Sequence, residues 1–185
     1  MNYYTKQNLF ASCENLTEIV ELTNTEGASV IISEYGGRLL GIFPKYDEIN
    51  LLWVNPNLKE IIMTKQRSVG GDRYWISPER DFFYKDPATW SDWFCPKGLD
   101  PGNYQILGYN SSSCTLSSAI SLTNQRTKQK LIGEITRQIS LLEEPISTSI
   151  KNYCGVEFID DCVFFQPEQK IWQNYCFLFL FFFFM

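Results

Sequence analysis

The chain has 185 residues and a formal net charge of −5, with 16 Lys and Arg against 21 Asp and Glu. This length suits one domain with a hydrophobic core, and the absence of a basic stripe disfavours nucleic acid as a partner. Aromatic residues make up 16% of the chain, which favours strands and supplies flat side chains that can stack on a ligand.

The chain contains no histidine and six scattered cysteines. Histidine is the side chain best suited to proton transfer near neutral pH, so acid–base chemistry would fall to carboxylates, Tyr, Lys or Cys. Without histidine, the cysteines offer neither a zinc-binding spacing nor an activated nucleophile. We therefore predict no metal, no cofactor and reduced, unreactive thiols.

The two ends of the chain carry different signals. Residues 1–16 lack a basic region followed by an apolar one, so we expect no secretory signal and a cytoplasmic location. Residues 177–185 read FLFLFFFFM, far short of the ~20 apolar residues that a transmembrane helix requires. We interpret them as an abnormal end, a truncation or altered reading frame, with a buried last strand and a membrane foot as alternatives. The expected domain boundaries are 1–176 for a partial domain and 177–185 for a low-complexity tail.

Alternating polarity and turn signals predict strands in the first part of the chain, at residues 17–23, 28–33 and 38–44. The turn signal at residues 24–27 predicts a hairpin, and Gly36-Gly37 permits a sharp reversal. A short apolar run at 51–54 predicts a buried strand, whereas 61–69 is ambiguous. Residues 70–102 are rich in aromatic residues, Pro and Asp, and predict long irregular loops of the kind that carry function in β proteins.

Three further strands are predicted after these loops. Residues 115–122 alternate in polarity, with Leu116, Ile120 and Leu122 on one side. Residues 131–142 fit either a strand or an amphipathic helix, and we favour the strand because four consecutive even positions are polar. Residues 155–165 form the last predicted strand, which Asp160-Asp161 could interrupt.

Several short segments resemble galactose mutarotase-like (aldose 1-epimerase-like) domains. The segment EYGGRL is similar to the turn that opens those domains, and NLLW to a motif that follows it. GGDR lies where the family has a glycine and an Asn-Arg pair that holds the sugar, with Asp72 at the Asn position. The longer string GGDRYWISPE is closer to a poorly characterised branch of this superfamily, and ITRQI is similar to a later family strand. These segments lie in order at residues 34–39, 50–53, 70–79 and 135–139.

The resemblance covers roughly residues 17–172 and implies an antiparallel β-sandwich with a sugar cleft, of which this chain is an incomplete N-terminal portion. The missing part would supply further strands and the catalytic Glu. The family's catalytic acid is a His, which this chain lacks. The expected function is therefore the binding of a small-molecule sugar without epimerase activity, in an unknown oligomeric state. The alternatives are a truncated product without function and a carbohydrate-active enzyme that uses carboxylates alone.

Arg73 and Asp72 are the first candidate sugar-binding residues. A guanidinium presents a fork of donors that suits adjacent hydroxyls, and a carboxylate can accept from a neighbouring hydroxyl. The alternative is that both side chains pair with other protein groups around the glycine turn. Arg137, among apolar neighbours on a strand, would need a buried partner, and a structural role is favoured for it.

Trp75 and Glu79 complete the candidate site. Trp75, like Trp90 and Trp93, could provide a platform for the apolar face of a pyranose, with core packing as the alternative. Glu79 and Asp72 are the nearest carboxylate pair, and such pairs cleave glycosidic bonds when held ~5–9.5 Å apart. The alternative for Glu79 is an ordinary solvated side chain.

Overall fold

The computed structural model describes residues 4–44, 49–144, 153–166 and 174–177. Every strand pairing in these segments is antiparallel, which confirms the predicted all-β class. The predicted Phe-rich tail covers 177–185; Phe177 ends the last strand of the described residues, and 178–185 lie outside them. The helices and strands are α1 (Lys6–Cys13), β1 (Ile19–Thr23), β2 (Ser29–Ser33), β3 (Arg38–Phe43), α2 (Leu58–Met63), β4 (Arg73–Ile76), α3 (Glu79–Phe82), β5 (Tyr84–Asp86), β6 (Ser91–Trp93), β7 (Tyr104–Tyr109), β8 (Ser113–Thr123), β9 (Lys130–Leu142), β10 (Gly155–Gln166) and β11 (Asn174–Phe177).

Sheet 1 consists of β1, β2 and β3 in that order, and its three strands are those predicted from the first part of the sequence. All five residues of β2 and all six of β3 are buried, because both faces of this sheet are covered. Two short helices, α1 and α2, pack on one face through Leu9, Leu58 and Ile62. The helices are held there by apolar contacts, which provide most of the stability of such short elements.

Sheet 2 has the strand order β10–β9–β8–β7 and covers the other face of sheet 1. The apolar odd positions of β9 are all buried, namely Leu131, Ile135, Ile139 and Leu141, which confirms the strand interpretation of β9. The expected interruption at Asp160-Asp161 is wrong, because β10 pairs with β9 through both residues. The two sheets therefore enclose one main hydrophobic core.

The segment between the two sheets differs from the prediction. Residues 51–54 do not form a buried strand: Val54 makes a single bridge to Gly70, and Leu51 and Trp53 are 46% and 52% exposed. The ambiguous stretch 61–69 begins inside α2. The predicted loops at 70–102 contain β4, α3, β5 and β6, of which β4 pairs with β11. None of the helices in the described residues has the length and apolar character that crossing a membrane requires.

Candidate functional site

The turn at Gly70-Gly71 brings the chain against β3. Gly70 and Gly71 have φ values of +100° and +67°, which favour glycine. A Cβ on Gly71 would lie 2.1 Å from the carbonyl oxygen of Leu39, so only glycine allows this approach. The Asp72 amide then donates to the Leu39 carbonyl at 3.1 Å, and the Leu39 amide donates to Asp72 Oδ1 at 2.5 Å. The turn thus fixes the Asp72 carboxylate at the edge of sheet 1.

Asp72 faces the protein interior. Its Oδ2 accepts from Arg137 Nη2 at 2.6 Å, and both side chains are 0% exposed. Arg137 also donates to the carbonyl of Gly37 at 2.7 Å and to Asp160 Oδ1 at 2.8 Å. Burial opposes the charged guanidinium, but Asp72 and Asp160 outweigh this effect and raise the pKa of Arg137 above its ordinary value. The buried partner expected for Arg137 is therefore present. Asp72 itself does not reach the surface, and its carboxylate holds neighbouring residues in place.

A second ion pair extends from this buried pair. Arg38 donates to the backbone carbonyl of Asp72 at 2.6 Å and to Asp100 Oδ1 at 2.5 Å. The Arg38 and Asp100 side chains are only 1% and 3% exposed. The other carboxylate oxygen of Asp100 lies 3.8 Å from Arg73 Nη1, and the Arg73 side chain is 24% exposed. The series of charges therefore begins in the core and ends at an arginine that reaches solvent.

Trp75 lies beneath Arg73 and packs against its guanidinium. The Arg73 guanidinium lies 5.3 Å from the centre of the Trp75 ring, within the range of a cation–π interaction. Trp75 itself is 7% exposed and stacks on Phe83, with 4.2 Å between ring centres. Burial, followed by the nearby positive charge of Arg38, lowers the pKa of Arg73 relative to its ordinary value. Trp75 is thus placed to orient Arg73, and its own ring offers little area to a ligand.

Two exposed indoles, Trp90 and Trp93, belong to the hairpin of β5 and β6. Trp93 is 42% exposed, and the guanidinium of Arg67 lies 4.5 Å from its ring centre. Arg67 is close enough to Arg73 to act on its pKa, and Asp100 contacts Arg73 directly. We call Arg67, Arg73, Trp93 and Asp100 the arginine cluster. It combines guanidinium donors, one carboxylate and an exposed aromatic face.

Glu79 and Asp72 lie in different environments. It is the first residue of α3 and is exposed, whereas the Asp72 carboxylate is enclosed by Leu39 and Arg137. The two carboxylates therefore do not face one surface together, which disfavours their use as an acid–base pair on a glycosidic bond.

A cavity of about 260 Å³ opens beside the Gly36-Gly37 turn. Its lining includes Glu34, Tyr35 and Asn103. Burial and the charge of Asp100 raise the pKa of Tyr35 to about 12, so its hydroxyl stays protonated. The cavity therefore neighbours the ion pairs described above and offers hydroxyl and amide groups.

Sequence interpretation identified Arg73 and noted Trp93, but it missed Arg67 and Asp100. No local pattern marks either residue, because each joins the cluster through contacts between distant parts of the chain. Among the residues that the structure describes, no group of three or more Cys, Asp or Glu is arranged to hold a metal ion. Cysteines 13, 95, 114, 154 and 162 are all free.

Fold and site together define an antiparallel β protein in which a buried ion pair, Arg137–Asp72, connects the two main sheets. The chain belongs to a family of unknown function (DUF6786), whose profile matches residues 2–174. No curated protein and no solved structure matches the chain.

Proposed function

We propose that this chain is a carbohydrate-binding protein of galactose mutarotase-like type, which binds a sugar at the arginine cluster and has no epimerase activity. The observation that carries the proposal is the position of Arg73. Its guanidinium is held by Asp100 and Trp75, is partly open to solvent, and neighbours the exposed ring of Trp93 through Arg67.

Each residue has a distinct role in this proposal. Arg73 donates to sugar hydroxyls, since a guanidinium offers several donors in one plane. Trp93 stacks on the apolar face of the ring, which is the usual use of an exposed indole at a polar ligand. Asp72 and Trp75 position Arg73 from below, and Glu79 is a peripheral acceptor at the surface.

The arrangement of the two glycine motifs supports the resemblance on which the proposal draws. Leu39 of EYGGRL and Asp72 of GGDR are 33 residues apart in sequence, yet they exchange two hydrogen bonds. Arg38 of the first motif also binds the carbonyl of Asp72. The free thiols are consistent with a cytoplasmic protein, and we place the chain there.

Isothermal titration of the full chain with a panel of neutral and charged monosaccharides tests the proposal. We expect saturable binding of at least one sugar, and a loss of affinity of about tenfold or more in Trp93→Ala and in Arg73→Lys. Polarimetry should show no acceleration of mutarotation, because the chain has no histidine.

Matched variants separate the cluster from other surfaces. Trp53→Ala removes an indole of similar exposure outside the cluster, and Arg126→Lys alters a surface guanidinium paired with Asp81. Both should bind like the wild type. A folded wild-type chain that binds no sugar would overturn the proposal. Loss of binding in Asn103→Ala, with Trp93→Ala unaffected, would instead move the site to the 260 Å³ cavity.

A further inference from the structure

The arginine cluster and the buried Arg38 beside it contain more positive than negative charge. Arg38 and Arg73 both lie against Asp100, at 2.5 and 3.8 Å, so the two guanidiniums share this carboxylate. Arg137 pairs with both Asp72 and Asp160, so these three side chains add one net negative charge and do not remove the excess. Arg67 adds a third positive charge. A local excess of cations in a chain of net charge −5 attracts anions to this place in particular.

Among the described residues, no carboxylate forms an ion pair with Arg67. It is half-buried, and its guanidinium packs over the Trp93 ring at 4.5 Å. Arg80, which stacks on the exposed Trp90, differs in that it donates to the carbonyls of Pro87 and Ala88.

The electrostatic environment of Arg73 also favours a bound anion. Burial lowers the pKa of Arg73, and the cations Arg38 and Arg67 lower it further, whereas Asp100 raises it. An oxyanion bound to Arg67 would offset the effect of these cations, and a planar guanidinium is suited to bind a carboxylate or phosphate through two parallel hydrogen bonds.

We infer that the sugar bound at this site carries an anionic group, a carboxylate or a phosphate, and that Arg67 binds that group. The inference rests on the proposed function, since Trp93 and Arg73 would hold the sugar ring. Arg67 is then the residue that determines specificity, because it distinguishes an anionic sugar from its neutral counterpart.

Titration calorimetry of the full chain with glucose, glucuronate, glucose 6-phosphate and inorganic phosphate tests the inference. We expect at least one of the two anionic sugars to bind ten times more tightly than glucose at low salt, with a smaller difference at 0.3 M NaCl. The preferred anion distinguishes a carboxylate from a phosphate ligand. Inorganic phosphate should bind more weakly than the preferred sugar, since it lacks the ring that Trp93 would contact.

Substitutions of Arg67 assign the effect to this residue. Arg67→Gln should reduce the ratio of the two affinities, anionic sugar over glucose, from about tenfold to less than about twofold, whereas Arg67→Lys should retain part of the preference. Arg126→Gln, at a surface ion pair elsewhere, should retain all of it. A thermal melt of each variant checks folding.

The two proposals fail in different ways. Equal affinity for glucose and both anionic sugars would overturn the inference and leave the proposed function intact. An anion preference that survives in Arg67→Gln would also overturn it. Absence of binding by every sugar in the folded wild type would overturn the proposed function, and the inference with it. Phosphate binding as tight as that of glucose 6-phosphate would reveal an anion site without sugar recognition.

Discussion

Arg137 and Asp72 form a fully buried ion pair, with 2.6 Å between Nη2 and Oδ2, that connects β9 of sheet 2 to the edge of sheet 1. Asp72 Oδ1 accepts from the Leu39 amide, and Arg137 also binds the Gly37 carbonyl and Asp160. Buried charges are tolerated only where such hydrogen bonds are complete, and the removal of one partner leaves the other uncompensated. The pair is therefore a structural connection on which the position of the arginine cluster depends.

Asp72→Asn should strongly destabilise the protein. The amide can still accept from Leu39 through Oδ1, but its NH2 group would face the Arg137 guanidinium and leave that charge without its main partner. We expect a loss of about 3–5 kcal/mol in the free energy of unfolding, measured by urea denaturation. Asp161→Asn, on the exposed face of β10, is the control and should change it by less than about 0.5 kcal/mol. Equal midpoints for the two variants would contradict the assigned role.

Arg137→Lys tests whether the planar fork is required, because a lysine keeps the charge. One ammonium group cannot reproduce the separate bonds to Asp72, Asp160 and Gly37. We expect Arg137→Lys to lower the free energy of unfolding by about 2–4 kcal/mol. Arg126→Lys, at an exposed ion pair, should cost less than about 1 kcal/mol. Similar thermal midpoints for the two variants would show that charge alone is sufficient.

Gly71→Ala should disrupt the turn that positions Asp72. The new Cβ would lie 2.1 Å from the Leu39 carbonyl oxygen, and the residue has φ +67°. Gly27→Ala is a matched control, because Gly27 has φ +90° and no atom within 4 Å of an added Cβ. Gly27→Ala should lower the free energy of unfolding by about 1–2 kcal/mol, because of backbone conformation alone. Gly71→Ala should lower it by clearly more. Chemical denaturation of both variants measures the difference, and equal losses would argue against the steric role.

Alkaline pH should weaken folding through the buried thiols. Burial raises the pKa of Cys114 from its ordinary value of 9.0 to about 11, so the folded chain retains a proton that the unfolded chain loses first. The stabilisation from this thiol is complete below pH 9 and is lost as the pH rises through 11, a total of about 3 kcal/mol. The free energy of unfolding of Cys114→Ala should therefore fall less steeply with pH between 9 and 11. Parallel curves for the variant and the wild type would contradict the raised pKa.

The sequence by itself determined most of the strands. In β1, β8 and β9, residues alternate between a buried and a more exposed face, and this local period of two is visible without a structure. The helix α1 was missed because it buries only Leu9 and Cys13, which leaves little amphipathic pattern. The run at 51–54 suggested a buried strand, but its side chains divide between core and solvent.

The tertiary structure alone decided which charges meet. Sequence patterns identified Asp72, Arg73 and Arg137 one by one, and the glycine turn was recognisable from its composition. That Asp72 is enclosed, that Arg73 reaches solvent beside Asp100, and that Arg67 lies over Trp93 depend on residues far apart in the chain. Coulomb energy and desolvation act through space, so the burial and partner of a charge follow from how the sheets pack and not from its spacing in the sequence.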